Sequence, residues 1–302
     1  MEDRLPHQAS LPRRREYVSA VSDTTRWDHF QVRPDDVFVC TPAKCGTTWM
    51  QSIVASVLWP ESDAPGPVLA ISPWVEMKIM EPAEMAAMLA GQTHRRFMKS
   101  HTPADGIPWF AEARYIFVGR DGRDAFMSLC NHVEHMQDGL RDELNARAPE
   151  GVPQLPAWDG DLHGFFQRWL TDDDLFFRIV ATFWAERARS NLLFVHYNDL
   201  KADLAGEMRR VAAFLGADVP ESCWPHVVER CTFERMRDGE ARMGAVDMIF
   251  KGGLKSFVFK GTNGRWRDVL TAEELAAYRR RVSETLPLDA AAWMERGRAS
   301  LA

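Results

Sequence analysis

The chain has 302 residues, of which 46% are hydrophobic, and it carries 37 Lys and Arg against 43 Asp and Glu. The formal net charge of −6 argues against a nucleic-acid-binding surface, which is normally basic, so an anionic ligand must be attracted by a few local cations. No apolar run approaches the ~18 residues that a membrane span requires, and we expect no span.

The length suits one large α/β domain over residues 1–302, because no Gly/Ser- or Pro-rich linker divides the chain. Residues 1–30 are predicted to form a polar N-terminal arm, in which the arginine run at 13–15 is solvated. The five cysteines are odd in number and match no zinc-binding spacing. They favour a reduced, cytoplasmic setting.

Short apolar segments alternate with helical ones along the chain, which predicts a central parallel sheet flanked by helices, a P-loop-like nucleotide-binding architecture. Two poorly patterned stretches, 137–161 and 237–259, are predicted to be substrate or lid loops. Strands are predicted at residues 37–40, 96–99, 115–118 and 191–196. Helices are predicted at residues 47–58, 83–90, 124–135, 174–189, 200–215 and 272–285.

The first predicted strand leads into the sequence TPAKCGTTW at residues 41–49. A Gly-containing turn between a strand and a helix cradles an anion, because its N–H groups and the helix start are positive. Here Lys44 precedes Gly46, whereas the Walker loop places Lys directly after its last Gly, and no GxxxxGK[ST] occurs. The loop therefore reads as an unusual phosphate-binding loop; the alternative is a tight turn without ligand.

The second predicted strand ends in KSHTP, which places Lys99 and His101 near the same edge of the sheet. A His in this position is a candidate general base, and Lys99 is a second cation for an anionic ligand. The alternative is a structural histidine.

The third predicted strand ends in GRDGRDAFMS, in which Arg120 is followed by a helix that carries Ser128. Arg suits a terminal phosphate because it donates in a bidentate fork. Arg120 and Ser128 are therefore candidate anion ligands if Arg120 reaches forward. We expect Arg123 and Asp124 to form a surface ion pair.

These ordered motifs resemble those of the cytosolic-type sulfotransferases, which use 3′-phosphoadenosine 5′-phosphosulfate (PAPS). The resemblance implies that His101 is the general base, that Lys44 stabilises the leaving group and that Lys99 helps to hold the sulfuryl and phosphate oxygens. It further implies that Arg120 and Ser128 hold the 3′-phosphate. The backbone of the 5′-phosphosulfate loop would bind the donor through Lys44, Cys45, Gly46, Thr47 and Thr48.

A later segment, VFKGTNGRWR at residues 258–267, resembles the family's Arg-Lys-Gly-x-x-Gly-Asp-Trp-Lys. Lys260 and Gly261 match it and are implied 3′-phosphate ligands. Phe259 stands in place of the family's Arg and Arg265 in place of its Asp, so the donor site is either weakened or compensated by Arg265. The remaining implied nucleotide contacts are aromatic: Trp49, Tyr197 and Phe233.

The implied reaction is transfer of a sulfuryl group from PAPS to a hydroxyl or amine of a small, largely apolar acceptor, with 3′,5′-ADP (PAP) as the product. The acceptor pocket is expected to draw on residues 73–88, 137–166 and 243–257, which are rich in Trp, Met and Phe. Two alternatives stay open, a kinase-like P-loop enzyme and a non-catalytic protein that binds 3′,5′-ADP.

No metal is expected, since His132 and His135 on one helix face lack a third ligand at a recognisable spacing. A homodimer is possible. The family's Lys-x-x-x-Thr-Val dimer segment is nevertheless poorly matched here: Arg267 and Thr271 fit it, but Ala272 and Ala276 do not.

Overall fold

A parallel four-stranded sheet forms the centre of the structure, a computed structural model that describes residues 9–171, 175–244 and 246–301. The strand order is β2-β1-β3-β4. This confirms the predicted α/β class. The strands are β1 (Val37–Cys40), β2 (Phe97–Ser100), β3 (Arg114–Gly119) and β4 (Leu192–His196).

Helices fill most of the connections between the strands and the region after β4. In chain order the α-helices are α1 (Thr47–Leu58), α2 (Val68–Ile71), α3 (Pro82–Gly91), α4 (Gly122–His135), α5 (Asp138–Ala146), α6 (Leu162–Thr171), α7 (Leu175–Ala185), α8 (Tyr197–Ala202), α9 (Leu204–Leu215), α10 (Trp224–Arg230), α11 (Phe233–Arg237), α12 (Glu240–Met243), α13 (Gly253–Phe257), α14 (Ala272–Thr285) and α15 (Leu288–Arg296). Short 3₁₀ turns lie at Thr24–His29, Glu221–Cys223, Arg265–Asp268 and Arg298–Leu301.

The two faces of the sheet bury different cores, because successive strand side chains point to opposite sides. Phe38 and Phe117 lie in the core that also contains apolar side chains of α4, α6, α7, α14 and α15. Val39 and Val118 lie in the core formed with α1, α9 and α10. Helices therefore cover both faces, which is why the strands are continuously apolar.

The connections from β1 and β3 run to opposite sides of the sheet, since β2 and β4 are its two edges. In an open parallel sheet such a reversal leaves a crevice at the carboxyl ends of the two strands, where ligands bind. The loop after β1 and the residues after β3 flank this crevice.

Three sequence-based assignments differ from the structure by more than one or two terminal residues. The predicted helix 200–215 is two helices, because Asp203 interrupts it. The carboxylate of Asp203 accepts a hydrogen bond from the N–H of Gly206 and thereby caps α9. The predicted helix 174–189 begins as α7 at Leu175 and ends at Ala185; Asp174 lies outside the described residues. The segments 137–161 and 237–259 contain α5, α12 and α13.

The described part of the N-terminal segment lies against the body of the protein. Leu11 exchanges two backbone hydrogen bonds with Trp109, and Arg13 forms an ion pair with Asp28 at 2.5 Å. Residues 1–8 of the predicted arm lie outside the described residues. All five cysteines are free, and none of the described helices has the length and apolar character needed to cross a membrane.

Candidate active site

The loop after β1 has an unusual backbone. Lys44 has φ 67° and Gly46 has φ 102°, and left-handed residues within a turn direct successive N–H groups toward one point. Helix α1 begins directly afterwards at Thr47, and its first N–H groups have no intrahelical acceptor. A Cβ at position 46 would lie 3.0 Å from the ring of Tyr197, and the left-handed φ would strain any side chain, so Gly is favoured there. The loop therefore has the backbone geometry of a candidate anion cradle.

The side chain of Lys44 is partly buried within this crevice. Its Nζ lies 3.2 Å from Nδ1 of His132 and 5.2 Å from the ring centre of Phe257. Burial, together with the positive charges of Arg120 and of Lys99, lowers the pKa of Lys44 to about 7. An anion in the crevice would oppose the last two effects and favour the charged ammonium.

His101 follows β2 and faces the end of β1, because Cys40 pairs with Ser100 in the parallel register. The Nδ1 of His101 lies 2.8 Å from the carbonyl oxygen of Thr41. A carbonyl only accepts, so Nδ1 carries the proton and Nε2 keeps its lone pair. Burial lowers the pKa of His101 to about 3, with Lys99 and Lys44 as further causes. The ring is therefore neutral at physiological pH and available as a base.

Thr41 also joins the loop to the histidine through its side chain. Its hydroxyl lies 2.6 Å from the hydroxyl of Thr47 and 3.2 Å from Nδ1 of His101. The start of α1 and the candidate base therefore have a fixed relative position.

Lys99 and Trp74 meet at the edge of β2. Backbone hydrogen bonds from Lys99 to Pro73 and from Val75 to Lys99 attach the segment around Trp74 to the strand. The indole of Trp74 lies 4.8 Å from the ring of His101 and 6.0 Å from Nζ of Lys99. Burial lowers the pKa of Lys99 to about 8. Trp74 therefore forms an apolar wall beside the candidate base.

Arg120 directly follows β3, and its side chain reaches toward the loop after β1. It donates to the carbonyl of Lys44 at 3.1 Å and to Oδ1 of Asn263 at 2.8 Å, and it lies 4.0 Å from the ring centre of Tyr197. Its buried Nε has no hydrogen-bond partner, and no carboxylate of the described residues lies within salt-bridge distance. Because a buried charge without a partner is costly, Arg120 is a candidate ligand for an anion.

The loop before the 3₁₀ turn Arg265–Asp268 closes this side of the crevice. The N–H of Gly264 donates to Asp124 at 2.6 Å, and Arg265 donates to the carbonyl of Met127 at 3.1 Å. Burial lowers the pKa of Arg265, and the nearby charge of Arg120 lowers it further. The guanidinium of Arg265 also lies 5.5 Å from the ring centre of Phe259. Two arginines therefore share one electropositive region.

The other expected nucleotide ligands surround the same crevice. Ser128 is partly buried on α4, one residue after the carbonyl that binds Arg265. Trp49 donates to the carbonyl of Cys231 and packs edge-on against Tyr197, while the ring of Phe233 contacts Gly261. Lys260 is exposed. Cys45 is buried and burial raises its pKa to about 12, which leaves only its backbone for a ligand.

The ion pair predicted between Arg123 and Asp124 is wrong. Arg123 pairs with Asp121 at 2.6 Å, because Asp121 caps α4 and lies beside it, whereas Asp124 accepts from Gly264. Among the described residues no cluster of three or more His, Cys, Asp or Glu side chains could hold a metal ion.

Among the aromatic and Met side chains of the segments expected around an acceptor, two pack against the histidines of this crevice. These are Trp74, described above, and Phe250, which packs edge-on against His132 at 4.7 Å. Phe166 is instead fully buried against Phe126 in the core, and Met248 is exposed. Phe257 of α13, the last residue of the expected segment 243–257, lies beside Lys44.

Sequence reasoning missed three polar contacts at the site. His132 lies one turn after Ser128 on α4, and this i, i+4 spacing is the signal that could have placed it on the same helix face. Asn263 binds Arg120 and also donates to Asn198 at 2.6 Å. The asparagine contacts join residues far apart in the chain, so no local pattern announces them.

Comparison with known proteins gives a consistent family assignment. The family model described as "Sulfotransferase domain" matches residues 34–288. A glycolipid sulfotransferase of Mycobacterium tuberculosis is 32% identical over 93% of this chain and 94% of its own length. Human sulfotransferase 1C2 is 25% identical over 85% of this chain and 84% of its own length.

Two solved structures share the fold at low sequence identity. The mouse sulfotransferase SULT7A1, solved with PAP, has a TM-score of 0.65 at 19% identity, covering 87% of this chain and 88% of its own. Retinol dehydratase, solved with androsterone and the inactive cofactor PAP, has a TM-score of 0.63 at 21% identity, covering 87% and 86%.

Proposed function

This chain belongs to the sulfotransferase domain family, and on that premise we propose that it transfers a sulfuryl group from PAPS to a hydroxyl of a largely apolar, lipid-like acceptor. The observation that carries the proposal is the meeting of Lys44, Lys99 and His101 at the carboxyl ends of β1 and β2. Two cations for an anionic donor and a neutral imidazole for the acceptor are what this transfer requires.

In the proposed reaction the acceptor oxygen attacks the sulfur of PAPS while the bond from sulfur to the bridging oxygen of the 5′-phosphate breaks. Nε2 of His101 takes the acceptor's proton, and PAP leaves with the electron pair of the broken bond. Lys44 stabilises the charge that grows on the bridging oxygen, and Lys99 with the N–H groups of the cradle holds the sulfuryl and phosphate oxygens.

The donor's anionic groups complete the electrostatics of this mechanism. Lys44 and Lys99 are among the causes that lower the pKa of His101. Negative charge placed beside these cations compensates them, which raises the basicity of His101 at the stage when it must accept a proton. No metal ion is needed for this charge balance.

The 3′-phosphate of PAPS is assigned to the region of Arg120 and Ser128, with Lys260 and Gly261 at its rim. The support is the buried Nε of Arg120, which has no partner among the described residues. We further assign Arg265 to this phosphate. Phe259 stands where the family has Arg, and the guanidinium of Arg265 lies close to the ring of Phe259. Arg265, six residues later in the chain, therefore supplies the positive charge in place of the family's Arg.

The acceptor is assigned to the apolar side of the crevice. Trp74 lies beside His101, Phe257 lies beside Lys44, and Phe250 packs against Phe257 at 5.0 Å. Pockets of this composition suit an apolar molecule that presents one polar group. The glycolipid sulfotransferases of the mycobacterial relatives support a lipid hydroxyl as the acceptor.

The test is transfer of radiolabelled sulfate from PAPS to a panel of acceptors: neutral glycolipids, sterols and simple phenols. We expect a labelled glycolipid or other lipid product, and none with His101→Ala. A protein that binds 3′,5′-ADP but transfers to no acceptor would support the non-catalytic alternative. Dependence on ATP and magnesium would support the kinase alternative.

A further inference from the structure

His132 is a buried titratable side chain that the proposed reaction does not use, although it faces the same crevice. It lies on α4, and its Nδ1 is 3.2 Å from Nζ of Lys44. The remaining side of its ring packs edge-on against Phe250. His132 is therefore held in place by α4 and by Phe250, so its contact with Lys44 is more constrained than that of a flexible surface pair.

The charges around His132 decide which partner is protonated. Burial lowers the pKa of His132 well below its usual value, and Lys44, Lys99 and His101 lower it further. A neutral His132 has one nitrogen lone pair, and a lysine ammonium has three donors and no acceptor. Nδ1 of His132 is thus the acceptor and Lys44 the donor.

We propose that His132 positions Lys44 for the transfer step. Its Nδ1 accepts a hydrogen bond from one N–H of the ammonium and leaves the other two N–H groups for PAPS. The inference rests on the proposed function, because it assigns a partner to the lysine that stabilises the leaving group. In this role His132 contacts neither PAPS nor the acceptor molecule, and it acts through Lys44.

The contact has a second consequence for the charge of Lys44. Its ammonium is disfavoured by burial and by Arg120 and Lys99, and the lone pair of His132 opposes these effects. Without that lone pair, the ring of Phe257 would be the remaining side-chain contact of the ammonium among the residues that the structure describes. Lys44 would then lose its proton at a lower pH, and with it the charge that binds the 5′-phosphate.

The experiment is calorimetric binding of 3′,5′-ADP from pH 6 to pH 9. It needs no acceptor, and it compares the wild type with His132→Phe and His132→Asn. Asn places an acceptor oxygen near the position of Nδ1, whereas Phe offers none. At pH 6 we expect the affinity of His132→Phe for 3′,5′-ADP to match that of the wild type within about twofold. At pH 8 we expect the variant to bind up to about tenfold more weakly for each unit by which the pKa of Lys44 falls. His132→Asn should follow the wild-type curve.

Two controls separate positioning from structure. His135→Asn changes a histidine one turn along α4, whose Nδ1 bonds to the carbonyl of Asn131, and it should leave the curve unchanged. In a Lys44→Met background, His132→Phe should have no further effect. If His132→Phe does not fold, His132→Leu removes the acceptor with a smaller side chain.

Parallel binding curves for the wild type and His132→Phe would overturn the inference, and so would a loss of affinity that persists in the Lys44→Met background. Failure of the proposed function has a different signature, because the wild type would then bind no 3′,5′-ADP at any pH.

Discussion

Nδ1 of His101 lies 2.8 Å from the carbonyl oxygen of Thr41, and this contact leaves Nε2 as the free nitrogen of the ring. The nearer acceptor is a backbone carbonyl, so the register of β1 against β2 helps to set the tautomer, and the hydroxyl of Thr41 is a second neighbour of Nδ1 at 3.2 Å. The sheet itself thereby orients the base, which is the arrangement that a fixed proton transfer requires.

Replacing the base should separate catalysis from binding. We expect His101→Ala to lower the rate of sulfuryl transfer by about 10²- to 10⁴-fold, the usual contribution of a general base. The affinity for 3′,5′-ADP should stay within about threefold of the wild type, since the assigned donor ligands are retained. Initial rates and calorimetry test both parts, with His135→Ala as a folded control. A transfer rate within tenfold of the wild type would remove His101 from the mechanism.

The pH profile of kcat/KM for PAPS should be asymmetric. The pKa of His101 is about 3, so the base stays neutral and no loss of activity is expected from it between pH 7 and pH 5. The pKa values of Lys44 and Lys99 are about 7 and about 8, and these groups act as cations. Activity should therefore fall as the pH rises through this range.

The cause of the alkaline fall can be assigned with one variant. Lys99 is among the charges that lower the pKa of Lys44. In Lys99→Met the rate should be lower, but the remaining alkaline limb should move to higher pH because Lys44 keeps its proton longer. An acidic limb near pH 6.5, or an alkaline limb that does not move, would contradict these assignments.

Arg265 should contribute to affinity only for ligands that carry a 3′-phosphate. We expect Arg265→Ala to weaken binding of 3′,5′-ADP by about 10- to 100-fold, the range for a hydrogen bond to a charged group. Binding of 5′-AMP should be unchanged. Arg267→Ala is the matched control, since Arg267 lies in the same 3₁₀ turn and is exposed. Equal losses for both ligands would indicate a structural role for Arg265.

Gly119 should be required for the packing beneath Arg120. A side chain at this position would lie 2.4 Å from the ring of Trp293, which α15 holds against the sheet. Gly119→Ala should cost about 1–3 kcal/mol of stability through overpacking. Gly139→Ala on α5 meets no atom within 4 Å and should be neutral or stabilising. Thermal unfolding of the two variants, compared with wild type, tests the difference.

Much of the fold could be predicted because its signals are local. The predicted strand 37–40 and the predicted helices 47–58 and 272–285 appear in the structure with the expected bounds. The division of 200–215 was missed because Asp203 resembles an ordinary surface residue within a helical pattern. Its capping of Gly206 becomes evident only from the backbone.

The candidate site likewise contains residues that the sequence could predict and contacts that it could not. Lys44, His101 and Arg120 could be singled out because each directly follows a predicted strand, and parallel strands bring such positions together. The contacts of His132 with Lys44 and of Asn263 with Arg120 could not. They join segments 88 and 143 residues apart, and only tertiary packing decides which side chains of those segments meet.

The most direct test of the proposed donor site is calorimetric binding of 3′,5′-ADP to the wild type and to Arg120→Ala. The wild type should bind 3′,5′-ADP, the variant should lose most of this affinity, and ATP with magnesium should not substitute. Failure of the folded wild type to bind 3′,5′-ADP, or equal binding by the two proteins, would contradict the proposed site.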